Sequence, residues 1–333
     1  MKNYDLVLVG AGLTNCTIAE QLKEYSILIL DVRDHIGGNL YDFKVDGTYI
    51  HQYGPHIFHT PDKKIWEYIN QFSEFVDYKH RVTAEIDYRD KIIRVPFPYS
   101  KETEAYIKLS SQEIIDIFFK GYTQKMWNKS WDDMPDEVRN RIPKVAESSE
   151  FFINQYVGMP KYGYTNMINN MISDNSDIIL SAKPDQWKEY IDDRIPIVYS
   201  GRLDELVTDT LPYRHIDIDF TLELWDDSSS VVNFCHTKRF NTRKTSYKTL
   251  TGGYSNIVSY ETARTANEFD LTPFYPITEL EVVNYAKIIK KQVKKIYPNI
   301  ILSGRCGTYQ YIDMWQAIQL GLDIAKQLKE KLV

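Results

Sequence analysis

Apolar residues run through Tyr4–Val9 and glycine interrupts them. Helical spacing then takes over from about Leu13 to Glu24, and a second apolar run, Ser26–Leu30, ends on Asp31. That order predicts strand, tight turn, helix, strand, and the right-handed crossover of such a βαβ unit puts both strands in one parallel sheet. Ile65, Tyr68, Ile69 and Phe72 recur at helical spacing. Residues 80–96 alternate instead, which predicts a hairpin turning near Tyr88–Lys91 and belonging to a different sheet.

Ile107, Ile114, Ile115 and Phe118 mark one apolar face, so Lys101 to about Pro160 reads as a mostly helical insertion punctuated by Pro135, Pro143 and Pro160. A helix over Tyr164–Ile172, a strand over Ile178–Ser181 and a buried strand over Ile195–Ser200 follow, the last closing on Gly201. Leu203–Ile277 is rich in tyrosine and threonine and alternates in Phe220–Trp225 and Ser230–Phe234, which favours an antiparallel sheet. The chain then returns to α/β character with a helix over Glu279–Ile296, a strand over Ile300–Ser303, and a final helix from about Met314 to Leu332. No repeat or low-complexity linker separates these parts, so they are expected to interleave.

Composition narrows the function. With 40 Lys+Arg against 46 Asp+Glu, the 333-residue chain carries a net charge of -6 and has no field to hold a nucleic acid by counterion release. No apolar run reaches the roughly 18–20 residues of a membrane span, and Asp5 breaks any signal-peptide pattern, so the expectation is a cytoplasmic protein without membrane insertion. Cys16, Cys235 and Cys306 are far apart and odd in number, which argues against a disulfide framework or a metal site.

The turn Gly10-Ala11-Gly12-Leu13-Thr14-Asn15 sits between the first strand and helix, where Gly10 permits a sharp bend and Gly12 lets backbone amides approach a pyrophosphate. Asn15 stands where a third glycine is usual, so the helix is expected slightly farther from the strand. Asp31 lies 19 residues past Gly12, close to the spacing at which a carboxylate reaches a ribose hydroxyl. A second pair, Gly37-Gly38, allows backbone to follow a cofactor extending beyond its pyrophosphate, as a flavin does; a loop that needs positive φ is the alternative.

Further along stand IHQYGPHIFHT (Ile50–Thr60), Gly121–Trp127, Arg141-Ile142-Pro143, Gly158-Met159-Pro160 through Tyr164, Thr242-Arg243, Phe274-Tyr275-Pro276, Gly304-Arg305 and Tyr309–Met314. In this order the segments resemble UDP-galactopyranose mutases of the bacterial type. The resemblance implies FAD that is active when reduced, by NADPH or a chemical reductant. It implies a nucleotide-sugar substrate whose pyranose and furanose forms interconvert by attack of flavin N5 on the anomeric carbon, with no net redox change. A homodimer is one further implication.

The architecture expected from it is an FAD-binding Rossmann-like domain (1–79, 160–202 and 297–333), an inserted helical domain carrying a mobile loop (100–159), and an antiparallel sheet domain (80–99 and 203–296). The roles it implies make His56, Arg243, Tyr311 and Asp313 catalytic. Tyr122, Trp127, Tyr275, Tyr311 and Lys144 join Arg243 on the substrate. Gly10, Gly12, Leu13, Thr14, Asp31, Val32, Arg33, Gly38, Asn39, His56, Ile57, Gly304, Arg305, Tyr311, Asp313 and Met314 hold the cofactor, with Gly54 beside them, and His59 is structural. The chain departs from the family at Pro143-Lys144-Val145, where valine replaces a loop arginine and Lys144 stands one residue early. Three alternatives remain: another sugar (an N-acetyl, deoxy or pentose analogue), an amine-oxidase-like flavoenzyme, or a non-catalytic nucleotide-sugar binder.

Overall fold

The computed structural model describes residues 4–134, 139, 145–192, 194–266 and 272–332. Its first body is a five-stranded parallel sheet in the order Ser176–Ile179, Ile27–Leu30, Leu6–Val9, Ile197–Tyr199, Ile300–Leu302. Leu6, Val7, Leu8, Ile27, Leu28 and Ile29 are all fully buried, as continuous apolar runs in a two-sided parallel sheet require. One side is covered by the helices Leu13–Gln21 and Met314–Leu332. On the other, the helix Leu280–Ile296 sets Ala286, Ile289 and Val293 against Val7, Leu28 and Ile197. The last stretch of the 203–296 segment thus packs on the parallel sheet.

The two covering helices touch at Gly321, where a methyl group would stand 2.7 Å from the Thr14 carbonyl oxygen and 2.7 Å from Thr17 Cβ. Gly321→Ala is therefore expected to destabilise the protein by ~1–3 kcal/mol through overpacking, read as a lower urea midpoint at unchanged slope.

The second body is a seven-stranded sheet in the order Tyr275–Pro276, Tyr213–Leu222, Ile257–Ala266, Arg243–Ser246, Val231–Phe234, Val82–Tyr88, Lys91–Phe97. The hairpin turns on Arg89 and Asp90, both at positive φ (52° and 64°), as a two-residue loop requires. The sheet is not wholly antiparallel: Val231–Phe234 runs parallel to Val82–Tyr88. The intervening chain passes through the parallel sheet, so no tight turn constrains the direction of return.

The helical reading of 101–160 holds to Trp127, in a run of helix from Ser111 with a wider turn at Ile115–Lys120. It fails at Tyr156–Pro160, a strand held antiparallel between Phe58–Thr60 and Phe75–Asp77. A side chain at Gly158 would come within 2.9 Å of the Val76 carbonyl oxygen, so this glycine serves a close strand approach. Among the described residues no helix is long and apolar enough to cross a membrane.

Candidate active site

A cleft of about 440 Å³ opens at the carboxyl ends of the parallel strands, where the glycine turn lies. Gly10 takes φ 97° and Gly38 φ 57°, and a methyl group on Gly38 would stand 3.2 Å from Gly12 Cα. The two glycine motifs are thus pressed together, tied by a bridge between Gly12 and Gly37. Nothing lies within 4 Å of where a Gly12 side chain would be, so the turn presents open space at the helix start.

Asn15 is tied on both sides of its amide. Its amide donates to the Val9 and Gly10 carbonyls at 3.0 and 2.8 Å, and its oxygen accepts from Ser303 Oγ at 2.7 Å, locking the turn to the C-terminal segment. The Asp31 oxygens accept from the Ala11 and Arg33 amides at 2.7 and 2.9 Å. Each oxygen retains a lone pair for a ribose hydroxyl.

The cleft is lined by fourteen of the sixteen residues expected to hold a cofactor: Gly10, Gly12, Leu13, Thr14, Asp31, Val32, Arg33, Gly38, Asn39, His56, Gly304, Arg305, Asp313 and Met314. Ile57 is buried in the core beneath, and Tyr311 stands outside the lining. Arg305 donates to the Ile312 carbonyl at 2.7 Å and to the Phe274 carbonyl at 3.4 Å, so its fork is used in fixing the cleft wall. Asp313 accepts the Ala317 amide through its carbonyl at 2.9 Å and starts the last helix.

His56 Nδ1 lies 2.8 Å from the Gly54 carbonyl, an acceptor only, so Nδ1 carries the hydrogen and Nε2 is left as a lone-pair acceptor. Burial, then the nearby His51 and Arg305, hold its pKa down to about 3, so the ring is neutral at pH 7. His51 and His80 are likewise held by burial to about 3 and about 4. These depressed values make the unfolded chain bind protons first as pH falls. Stability is therefore expected to be complete above pH ~6.5 and to decline below it, by up to ~1.4 kcal/mol per ring per pH unit, down to the folded values. Urea midpoints measured from pH 7 to pH 5 check this; a level profile would contradict it.

The seven-stranded sheet comes next to this cleft through Phe274, which lines it and precedes the edge strand. Register places Ala84, Asn233, Arg243, Glu261 and Ile218 in one row across five strands. Alternation puts Ile216 and Arg214 on the same face as Ile218, and Arg214 is paired with Tyr275. The helix Gly121–Trp127 packs on this face, bringing Met126, Tyr122 and Trp127 against Ile216, Phe274 and Tyr275. Tyr122 and Trp127 thus join one apolar cluster although five residues apart.

Arg243 sets one terminal nitrogen 3.5 Å from Tyr122 Oη and its Nε 3.2 Å from Glu261 Oε2. Burial opposes its charge, but Glu261 and Tyr122 more than offset that, so the guanidinium stays ionised. The Tyr275 ring meets Tyr311 at 5.5 Å and Trp127 at 6.2 Å, while Arg305 lies 5.0 Å from the Tyr311 ring centre. Lys144 lies outside the described residues, as does the Arg141-Ile142-Pro143 run.

Two residues were missed by sequence reasoning. Arg214 is 1% exposed, 5.4 Å from the Trp127 ring centre; only one of its nitrogens is hydrogen-bonded, to Thr265 Oγ1 at 2.7 Å, while Nε and the other terminal nitrogen have no partner. The signal was available, since arginine occupies the apolar phase of Ile216, Ile218 and Phe220. Glu261 is 4% exposed and its Oε1 has no hydrogen-bond partner. Its phase, shared with Ser259 and Ala263, carries no comparable signal.

Residues 117–311 match the UDP-galactopyranose mutase family, and residues 8–72 match an NAD(P)-binding Rossmann-like domain. The chain is 31% identical to the "Probable UDP-galactopyranose mutase" of Klebsiella pneumoniae, over 98% of this chain and 95% of that one. It is 27% identical to the dTDP-fucopyranose mutase of Escherichia coli, over 96% and 97%. The crystal structure of a reduced UDP-galactopyranose mutase superposes with a TM-score of 0.67 at 10% identity, covering 99% and 94%.

Proposed function

Because this chain belongs to the UDP-galactopyranose mutase family and is an isomerase, we propose that it interconverts UDP-galactopyranose and UDP-galactofuranose with FAD as its cofactor. The observation that carries this reading is the pair of cations, Arg214 and Arg243, on one face of the seven-stranded sheet. Arg214 has two buried nitrogens without a hydrogen-bond partner, and Arg243 on the same face is held ionised beside Tyr122, which suits a diphosphate arriving beside Tyr275.

FAD fits the parallel-sheet cleft through the open glycine turn at Gly12, the Asp31 carboxylate and the close Gly12–Gly38 approach. The chemistry a reduced flavin supplies when bound is a nucleophilic nitrogen for the anomeric carbon, so the sugar–diphosphate bond can break and re-form without net redox. The protein positions and neutralises. Arg214 and Arg243 hold the diphosphate as charge grows on its leaving oxygen, and Tyr275 and Tyr311 donate hydroxyls without adding charge. Trp127 and Tyr122 offer ring faces to the base. His56, neutral, accepts a hydrogen bond at Nε2. Lys144 is assigned the place of the family's loop arginine as a point charge. We propose a cytoplasmic location, and a homodimer as the assembly, which light scattering checks.

The test is ring exchange by flavin-loaded enzyme reduced with dithionite, followed by chromatography of the nucleotide sugar. Furanose formed only after reduction supports the reading; activity only when oxidised, with oxygen consumed, rejects it in favour of an oxidase. The dTDP-fucopyranose mutase likeness favours a second reading, a dTDP-linked deoxy sugar, so both donors belong in the assay.

A further inference from the structure

Glu261 stands beneath the diphosphate position assigned to Arg243, on the neighbouring strand, with 5% of its side chain exposed. The pair is loose. Arg243 Nε lies 3.2 Å from Glu261 Oε2 but makes no in-line hydrogen bond, and Oε1 of the same carboxylate has no partner. A buried carboxylate with an empty oxygen is a poor ion held only by the adjacent guanidinium.

We infer that binding of the nucleotide diphosphate is coupled to the uptake of one proton from solvent by Glu261. The inference rests on the nucleotide-sugar reading, and the argument is one of charge. An arriving diphosphate draws on the Arg243 guanidinium and adds negative charge close to Glu261. The carboxylate loses the interaction that kept it ionised, and Oε1 is ready to accept hydrogen. Arg243 is thereby turned over to the substrate without leaving an unpaired anion under it.

The groups around Glu261 permit this. Arg243 is its cationic neighbour from the adjoining strand. Tyr122 from the helix Gly121–Trp127, Tyr247 from the short helix Tyr247–Thr251, and Tyr275 from the edge strand all feel its charge, and each is kept protonated by burial. From the loop after Thr48–His51 comes the Gly54 backbone, whose side-chain position lies 3.6 Å from Glu261 Oε1, followed by His56, which is neutral and senses Arg243 and Arg305. His80, which also senses Arg243, is neutral as well. Burial already raises the Glu261 carboxyl above its usual range, with Arg243 holding it back.

Titration calorimetry of oxidised, FAD-loaded enzyme with UDP at pH 7, repeated in buffers of different ionisation enthalpy, reads the proton count directly. The expected slope is an uptake of about 0.5–1 proton per UDP for the wild type, falling to near zero in Glu261→Gln with UDP still bound. Binding without uptake in the wild type overturns the proton step alone, and unchanged uptake in Glu261→Gln assigns it elsewhere, to His56 first. Absence of UDP binding overturns both this inference and the nucleotide-sugar reading. Should Glu261→Gln not fold, infrared difference spectra of the wild type decide: a protonated-carboxyl band on adding UDP supports the inference, and its absence overturns it.

Discussion

Arg243→Ala is expected to lower kcat/KM at least ~100-fold, about 3 kcal/mol of transition-state stabilisation, the usual cost of removing a charged donor from developing charge. Its guanidinium is held ionised in a half-buried site, so on the proposed placement alanine would leave the diphosphate facing Tyr122, Tyr275 and Glu261 with one cation fewer. The loss should fall on kcat as well as KM, because the leaving oxygen gains charge only as the anomeric bond breaks. Arg243→Lys should recover part of it, since a point charge remains without the fork. Steady-state kinetics on reduced enzyme, with flavin content confirmed equal, makes the comparison. Turnover near wild type would remove Arg243 from the diphosphate site.

Gly38→Val is expected to strip the protein of flavin, with visible flavin absorbance per purified chain falling at least ~10-fold. Two effects act together. The residue sits at φ 57°, where a β-branched side chain is strained, and the new Cβ would stand 3.2 Å from Gly12 Cα. Relieving either moves Gly12 away from the bridge to Gly37 and closes the space in which the pyrophosphate is placed. The far-ultraviolet circular dichroism should stay near wild type, because the strands Leu6–Val9 and Ile27–Leu30 keep their register. Full flavin occupancy in this variant would detach the second glycine pair from the cofactor.

What the sequence makes legible is what is local. The βαβ unit reads directly from two apolar runs flanking a helical stretch, and the 88–91 hairpin reads from alternation on both sides of two polar residues. Tyr156–Pro160 does not, because its neighbours in the sheet are about a hundred residues earlier, and Gly158 and Pro160 inside it look like loop punctuation until Phe58–Thr60 and Phe75–Asp77 are alongside. The proposed substrate wall is harder still. Arg214, Glu261 and Arg243 share a face only through the register of three strands, and whether an arginine's N–H groups are satisfied depends on side chains from all of them. Asn15 shows the same limit within the glycine turn. Its type does not announce the contacts with Val9, Gly10 and Ser303 that make it a clasp.

That clasp joins residues 288 positions apart in the chain. During translation the phosphate turn is made well before Ser303 and the neighbouring strand Ile300–Leu302 that close it. Until then the ribosome-bound chain has a half-built nucleotide bay with an uncovered strand edge. Cofactor loading is accordingly expected only after residue 303 has been made, and fragments ending before residue 300 should be chaperone clients that stay colourless.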